Sequence, residues 1–375
     1  MVDQNATESR THSKRTLSLV LLIVGSILLF LFSLDLMVSS LRHLGSDTAR
    51  SVIEATENPF TALFVGLLVT ALIQSSSTTT ALTVALVASG ALSFQSAIPV
   101  IMGANIGTTI TSTIVSLGFI NKKKEFKRAV AGGTYHCFFN VLTALILFPL
   151  ELNYGLLSTT SEWIGQMLFP TFDARASSSL GTTWTPFSFL TDFLAAKIPS
   201  GIVLAVLSFV LLVISILIFR KLISDLLKAQ SPETFSRFFF AGELKSFFWG
   251  VITTAAIRSS TITTSIVVPI VAKKIVKMRM AAPFIMGANM GTTITAFIAA
   301  MLNSNNSAIN IAIVHFLFNF TGVLLFFPIP ALKELPIRLA TALGKLTLRY
   351  RIAGFVFILL TFFIIPFSLI YLYQE

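Results

Sequence analysis

This chain consists of long apolar stretches that are separated by short polar or basic segments. A helix of about 20 residues crosses the roughly 30 Å hydrocarbon core of a bilayer once. Seven stretches have about that length, at residues 17–39, 96–119, 129–150, 198–219, 281–301, 308–330 and 353–373. The pattern therefore predicts an all-α integral membrane protein with about seven full transmembrane spans.

The composition supports this class and excludes others. Hydrophobic residues make up 54% of the 375 positions and charged residues 11%, unlike a soluble domain. The net charge is +11, but Lys and Arg form short clusters between apolar stretches, which is the pattern of membrane topology rather than of nucleic-acid binding. With Cys137 as its single cysteine, the sequence excludes an intrachain disulfide framework and indicates no transition-metal site.

Two further apolar stretches, 59–88 and 246–272, are interrupted by polar residues. The first has about 30 residues, too long for one span and too short for two. We therefore expect each stretch to form a re-entrant helical hairpin. Six consecutive hydroxyl residues, from Ser75 to Thr80, lie in the middle of the first hairpin. Lipid cannot pair these hydroxyls, so protein, water or a solute must cover them.

The second interrupted stretch is a copy of the first. A shift of 184 residues aligns 66–110 with 250–294 without a gap, and 22 of the 45 positions are identical. The chain is therefore an internal duplication. The aligned motifs are Gln74-Ser75-Ser76-Ser77 with Arg258-Ser259-Ser260-Thr261, and Gly103-Ala104-Asn105-Ile106-Gly107-Thr108-Thr109 with Gly287-Ala288-Asn289-Met290-Gly291-Thr292-Thr293.

Basic residues predict that the two copies have opposite orientations, because Lys and Arg favour the cytoplasmic side. The span after the first hairpin leads to a basic cluster at 122–128, whereas its counterpart leads to the uncharged segment 303–307. The two halves are therefore predicted to be inverted repeats. The protein is expected in the plasma or inner membrane, with its N-terminus cytoplasmic and its C-terminus external.

This topology divides the chain into six parts. They are a cytoplasmic tail at 1–16, a first span and external loop at 17–58, repeat 1 with a hairpin and two spans at 59–150, an external loop, connecting span and cytoplasmic linker at 151–245, the inverted repeat 2 at 246–330, and a cytoplasmic segment with the final span at 331–375.

Inverted repeats with discontinuous helices are typical of secondary transporters, which bind substrate near the middle of the membrane. Each hairpin is expected to break at its hydroxyl cluster and to present free N–H groups to an anion. Hydroxyls can also use their lone pairs on a cation. Small polar residues can instead pack helices together, but packing needs them on one helical face, and these clusters surround the helix.

Several motifs are distributed over most of 59–366. They are Gln74-Ser75-Ser76-Ser77, the two Gly-Ala-Asn-x-Gly-Thr-Thr blocks, Glu125-Phe126-Lys127-Arg128-Ala129, His136-Cys137-Phe138-Phe139-Asn140 and Leu335-Pro336-Ile337-Arg338-Leu339-Ala340. Together these motifs resemble the type II sodium/phosphate cotransporter family. The resemblance implies sodium-coupled symport of inorganic phosphate into the cell by alternating access, with Na⁺ as coupling ion and no organic cofactor. The loop at 151–197 lacks the paired cysteines of animal members, which favours a bacterial member.

The same resemblance implies the ligands. Arg258 replaces a glutamine usual in the family, and we expect its guanidinium to contact phosphate or to substitute for one sodium ion. The alternative is that Arg258 snorkels or pairs with a structural carboxylate. Cys137 replaces the aspartate of charge-translocating animal relatives, so both changes suggest fewer coupled sodium ions. By motif position, phosphate is expected at Ser75, Ser76, Ser77, Ser259, Ser260 and Thr261, and sodium near Gln74, Thr78, Asn105, Thr108, Asn289 and Thr292.

Rival functions stay open at this point. Hydroxyl clusters do not distinguish one tetrahedral oxyanion from another, so transport of a different oxyanion, or sodium-independent phosphate export, is the alternative. An intramembrane serine hydrolase would need His136 or His315 as its base. It is less favoured, because the sequence has no Gly-x-Ser-x-Gly motif and one active site does not explain two serine clusters. The chain is therefore predicted to be a transporter and not an enzyme.

The histidines have a structural interpretation as well. His136 and His315 each lie four residues before an asparagine, Asn140 or Asn319, so histidine and asparagine share a helical face. We expect a buried hydrogen-bonded pair on each helix. A proton-sensing role is the alternative.

Overall fold

The structure is a computed structural model that describes residues 21–22, 24–41, 54, 56–169, 187–198, 200–227, 238–303 and 306–373. The predicted tail at 1–16 and parts of the predicted loops lie outside these residues. The described residues form helices and no strand. The helices are α1 (Val24–Leu41), α2 (Pro59–Ile73), α3 (Ser76–Ser89), α4 (Phe94–Gly107), α5 (Ile110–Leu117), α6 (Lys123–Tyr154), α7 (Leu156–Leu168), α8 (Ser188–Lys197), α9 (Gly201–Leu227), α10 (Glu243–Ile257), α11 (Ser260–Ala272), α12 (Met278–Gly291), α13 (Thr293–Asn303), α14 (Asn306–Phe326), α15 (Pro330–Arg349) and α16 (Ala353–Tyr373).

Six helical segments of the described chain are long and apolar enough to cross a membrane. They are Val24–Leu41, Phe94–Leu117, Lys123–Tyr154, Met278–Met301, Asn306–Phe326 and Ala353–Tyr373. These coincide with six of the predicted spans and confirm the all-α membrane class. The remaining predicted span, 198–219, falls on α9, whose apolar part Gly201–Ser215 is shorter. A seventh crossing there stays a prediction.

Each hydroxyl cluster interrupts a helix, as predicted. Gln74, at the end of α2, has left-handed backbone angles (φ 57°, ψ 31°), and Arg258, at the end of α10, matches it (φ 57°, ψ 28°). In the first copy Thr70 Oγ1 donates to Thr79 Oγ1 at 2.9 Å. Side chains four residues before and five residues after the break meet in this way when the chain reverses its direction. We call α2 with α3 hairpin 1, and α10 with α11, which have the same left-handed break, hairpin 2. That either hairpin is re-entrant in a membrane stays a prediction.

The long helix α6 shows how the hairpins are oriented. At one end of α6 the Phe148 ring lies 5.0 Å from Phe60, which begins hairpin 1. Near the other end Arg128 Nε donates to the carbonyl of Ala272, which ends hairpin 2, at 2.6 Å. Arg128 and Phe148 are separated by twenty residues of α6, or about 30 Å. The two hairpins therefore open toward opposite ends of the molecule, as inverted repeats require.

The basic segments gather at one of these ends. The backbone of Lys127 packs against Gly344 of α15, since a Cβ on Gly344 would lie 2.3 Å from the carbonyl oxygen of Lys127. Arg279, after hairpin 2, forms an ion pair with Glu334 at 2.8 Å. At the other end the ring of Tyr373 stacks on Phe60. The basic segments around Lys127, Arg279 and α15 thus share one face among the described residues, and the assignment of that face to the cytoplasm stays a prediction.

Glycines allow each hairpin to pack closely on the helix that follows it. A Cβ on Gly103 of α4 would lie 1.8 Å from the carbonyl oxygen of Leu63 in α2. The matched position in the second copy behaves alike, since a Cβ on Gly287 would lie 2.0 Å from the carbonyl oxygen of Phe247. Backbone atoms are the obstacle in both cases, so a side chain cannot be accommodated by rotation of a neighbour.

We predict that Gly103→Ala and Gly287→Ala each destabilise the protein by about 1–3 kcal/mol or more, because the hairpin must move away from its partner helix. Thermal unfolding in detergent measures the effect. Gly25→Ala is the matched control, since a Cβ at this exposed helical position would meet nothing within 4 Å. A melting temperature for both test variants equal to that of the control would contradict the prediction.

Candidate functional site

The tips of the two hairpins touch each other. Ser77 Oγ donates to the carbonyl oxygen of Arg258 at 3.2 Å, and Thr261 Oγ1 donates to the carbonyl oxygen of Gln74 at 3.4 Å. In the duplication Ser77 aligns with Thr261 and Gln74 with Arg258, so the two contacts are reciprocal. Reciprocal contacts of this kind mark a local two-fold relation. Thr108 Oγ1 lies 3.4 Å from Thr261 Oγ1 and joins the second tip to the end of α4.

Two helices begin where the tips meet. Ser75 caps α3, accepting hydrogen bonds from Thr78 N at 3.3 Å and Thr78 Oγ1 at 2.8 Å, and Ser259 caps α11, accepting from Ile262 N at 3.4 Å. A serine that accepts through its oxygen keeps its own proton to donate. The first-turn N–H groups and the positive dipole ends of both helices thus lie at the tip contact, which suits an anion.

The clustered hydroxyls are inside the protein. Ser76, Ser77 and Thr78 are buried in hairpin 1, and Ser260 and Thr261 are buried in hairpin 2. Ser75 is half-buried, whereas Ser259 is buried. The sequence required that these hydroxyls be covered rather than face lipid, and the structure covers them.

Arg258 has a partner that the sequence did not suggest. Its guanidinium carbon lies 4.3 Å from the centroid of the Phe30 ring, which belongs to α1. A guanidinium over an aromatic face is stabilised by the ring quadrupole. The backbone of Arg258 forms the tip contact while its side chain packs on the first membrane helix. A direct contact between this guanidinium and an anion stays a prediction.

The asparagines of the two Gly-Ala-Asn blocks are bonded across the repeats. His136 Nε2 lies 2.8 Å from Asn289 Oδ1, and His315 Nε2 lies 3.3 Å from Asn105 Oδ1. Each histidine therefore contacts the asparagine of the other repeat. All four side chains are at most 2% exposed.

The expected hydrogen-bonded pair is wrong for His136 and Asn140, whereas Asn319 does bond to His315, through the backbone carbonyl and not through the ring. Asn140 Nδ2 donates to the carbonyl oxygen of Asn105 at 2.6 Å, and Asn319 Nδ2 donates to the carbonyl oxygen of His315 at 3.0 Å. Each asparagine thus donates to a backbone carbonyl. The ring nitrogen Nε2 of His136 bonds instead to Asn289 of the opposite repeat. The equal spacing of His136–Asn140 and His315–Asn319 was the signal of a matched network, but it does not tell which partners meet.

The hydroxyls predicted near sodium are already in short polar contacts. Thr78 Oγ1 donates to Ser75, and Thr292 Oγ1 donates to the carbonyl oxygen of Asn289 at 2.5 Å. Each of these hydroxyl oxygens retains lone pairs for a cation. Repeat 2 has Ile262 where repeat 1 has Thr78, so this hydroxyl has no counterpart. The part of the chain that the structure describes holds no cluster of three His, Cys, Asp or Glu for a metal ion.

The two repeats are not equally covered around the tips. Gln74 is exposed, while its counterpart Arg258 is half-buried. Thr111, whose Oγ1 donates to Gln74 Oε1 at 3.5 Å, is half-buried, while its counterpart Thr295 is 2% exposed. The structure is therefore more open beside the tip of hairpin 1 than beside the tip of hairpin 2.

Known proteins are similar in sequence to most of this chain. "Sodium-dependent phosphate transport protein 2A" of Ovis aries is 31% identical over 94% of this chain and 67% of its own length. The protein of that name from Oryctolagus cuniculus is 32% identical over 92% and 66%, and "Sodium-dependent phosphate transport protein 2B" of Pongo abelii is 29% identical over 92% and 64%. The chain thus spans about two thirds of the length of these relatives. No solved structure matches it.

A family model described as Na+/Pi-cotransporter matches residues 29–170 and 211–348. These segments include both hairpins, the two Gly-Ala-Asn blocks and the helices with the crossed histidines. Because the match extends over more than half of the sequence and includes both repeats, the chain belongs to the Na+/Pi-cotransporter family.

Proposed function

We propose that this protein is a secondary active transporter that carries inorganic phosphate into the cell together with sodium ions, by alternating access. The observation that supports this most directly is the reciprocal contact between two serine-capped helix N-termini, Ser77 with Arg258 and Thr261 with Gln74. The relatives named as sodium-dependent phosphate transport proteins supply the substrate and the coupling ion.

Phosphate binds between the two tips. A tetrahedral oxyanion has several acceptor oxygens, and here the donors come from two separate helices, because α3 begins at one tip and α11 at the other. Hydrogen bonds to a charged group are stronger than neutral ones. The proposed ligands are Ser75, Ser76, Ser77, Ser259, Ser260 and Thr261, with Arg258 as the nearby positive charge.

Sodium ions bind at the oxygen atoms beside the phosphate. Bound cations lower the cost of placing an anion in a region of low dielectric, so phosphate and sodium raise each other's affinity. Each cation moving inward with phosphate also contributes about 2.3 kcal/mol per 100 mV of membrane potential. The proposed sodium-binding residues are Gln74, Thr78, Asn105, Thr108, Asn289 and Thr292.

Uptake of radiolabelled phosphate into proteoliposomes tests this function. We expect an inward sodium gradient to accelerate uptake severalfold over an equal potassium gradient, because sodium supplies the driving force. Equal rates under the two gradients would contradict sodium coupling. Excess unlabelled phosphate should suppress the signal more than excess sulfate or arsenate, and the reverse order would identify a different oxyanion as substrate.

We predict that Ser76→Ala and Ser260→Ala each raise the half-saturating phosphate concentration by roughly tenfold or more, since a hydrogen bond to a charged group contributes about 1.5–3 kcal/mol. Sodium-driven uptake at varied phosphate concentration measures the change. Ser161→Ala is the control, because Ser161 is also buried and donates to the carbonyl oxygen of Ser158 within α7, away from the tips. Phosphate affinities unchanged in both test variants would remove these serines from the site.

We further predict that Arg258→Gln increases the number of sodium ions, or the net charge, transported with each phosphate. Glutamine removes a fixed positive charge beside the anion, and an additional cation can take its place. Reversal-potential measurements in proteoliposomes count both quantities. Arg258→Lys retains the charge and is the control. An Arg258→Gln variant with unaltered stoichiometry, unaltered charge movement and unaltered phosphate affinity would show that Arg258 has no part in binding.

A further inference from the structure

The matched asparagines Asn105 and Asn289 are bonded unequally. Asn289 Nδ2 donates to Asn140 Oδ1 at 2.8 Å and to Asn319 Oδ1 at 2.5 Å. The same atom of Asn105 donates to the carbonyl oxygen of Ile101 at 2.8 Å, within its own helix. We call the asparagine that joins Asn140 and Asn319 the hub. Asn289 is the hub in this structure, and Asn105 is bound to its own helix.

A histidine of the opposite repeat orients each asparagine. Because Asn289 Nδ2 donates to two asparagine oxygens, its Oδ1 is the acceptor, and His136 Nε2 therefore carries the proton. This contact at the hub is 2.8 Å long, while the matched contact from His315 to Asn105 is 3.3 Å long. The Nδ1 atoms of both histidines have no hydrogen-bond partner among the described residues. The Nε2 contact is thus the hydrogen bond that orients each ring.

The unequal network has an equivalent alternative. Exchanging the matched residues of the two repeats makes Asn105 the hub and gives His315 the short contact. The openness of the site follows the same asymmetry, since Thr111 is half-buried and its counterpart Thr295 is buried. Packed interiors switch between discrete arrangements rather than deform continuously. The matched residues thus allow a second arrangement with Asn105 as the hub, and the structure shows the one with Asn289.

We propose that His136 and His315 are positioning residues that select which asparagine is the hub. The inference rests on the alternating-access function proposed above, because the two hubs correspond to the two opposite-facing states. His136 stabilises the state seen here through Asn289. His315 stabilises the opposite state through Asn105. The side chains of Asn105 and Asn289 thus report the conformation, in addition to any contact with sodium.

The proposal predicts the direction in which each substitution shifts the populations of the two states. His136→Ala removes the shorter contact of the present state and shifts the population toward the opposite state. His315→Ala has the reverse effect. Each histidine contacts its asparagine in both arrangements, and the 2.8 Å contact at the hub is stronger than the 3.3 Å contact away from it. This difference is expected to change the population ratio about three- to tenfold. The double variant loses both contacts and returns toward the original ratio. A purely structural role would weaken the protein in the same way in all three variants.

Thiol labelling of the full chain measures this shift. Cys137→Ser removes the single cysteine, and Thr111→Cys or Thr295→Cys then introduces one reporter at a time. A water-soluble maleimide is expected to react faster at position 111 than at position 295. The ratio of the rate at 295 to the rate at 111 should rise about three- to tenfold in His136→Ala, fall similarly in His315→Ala, and approach the starting value in the double variant.

Further variants separate positioning from loss of fold. His136→Gln and His315→Gln retain an N–H donor and should keep the ratio near its starting value. Asn289→Ala and Asn105→Ala break the same contacts from the other side, and they should shift the ratio in the directions of His136→Ala and His315→Ala. They replace the histidine variants if these do not fold. A shift in the same direction in both single variants, or an unchanged ratio, would overturn the proposal.

The labelling result does not depend on phosphate uptake. Absence of sodium-driven uptake by the wild-type protein would refute the proposed function. Normal uptake together with unchanged labelling ratios would refute the hub exchange and leave the proposed function intact.

Discussion

Hydrogen-bonding groups cannot be left unpaired inside a membrane, and the rest of this structure depends on how the two hairpin tips meet that constraint. A broken helix leaves free N–H and C=O groups at its ends, and an apolar surrounding makes each of them costly. Here each tip supplies a hydroxyl donor for a backbone carbonyl of the other tip. Ser77 donates to the carbonyl of Arg258, and Thr261 donates to the carbonyl of Gln74. The first-turn N–H groups of α3 and α11 therefore lie close to each other at this contact. The tip contact therefore creates a shared region of hydrogen-bond donors that a bound oxyanion can satisfy.

The surrounding helices hold this contact in the middle of the molecule. Hairpin 1 opens beside Phe148 and hairpin 2 beside Arg128, on opposite parts of the same helix. Each hairpin can approach its partner helix because Gly103 and Gly287 have no side chain where a carbonyl oxygen passes. Without this close packing the tips would be displaced from each other. The glycines thus act on the site from a distance, through the position of the hairpins.

Much of the fold was predictable because duplicated sequence and membrane chemistry both constrain it. The polar tips at Ser75–Thr80 and Ser259–Thr261 had to be covered, and the 184-residue repeat predicted that they would match. The contacts between the repeats were not predictable in the same way. His136 shares a helical face with Asn140, which suggested a local pair, yet its partner is Asn289, 153 residues away. Periodicity gives the face of a helix, but which helix packs against that face is decided by the tertiary arrangement. The ring of Phe30 beside Arg258 was missed for the same reason.

The two repeats differ at two aligned positions beside the proposed anion site. Gln74 has Arg258 as its counterpart, and Thr78 has Ile262. A guanidinium at one tip is a permanent positive charge, whereas a cation at the proposed sodium site is exchangeable. The second repeat has no hydroxyl that matches that of Thr78, which is one of the proposed sodium ligands. The site proposed above would therefore have one fixed and one exchangeable source of positive charge around phosphate. On that proposal, the fixed charge favours anion binding in every state, and the exchangeable charge links anion binding to the sodium gradient.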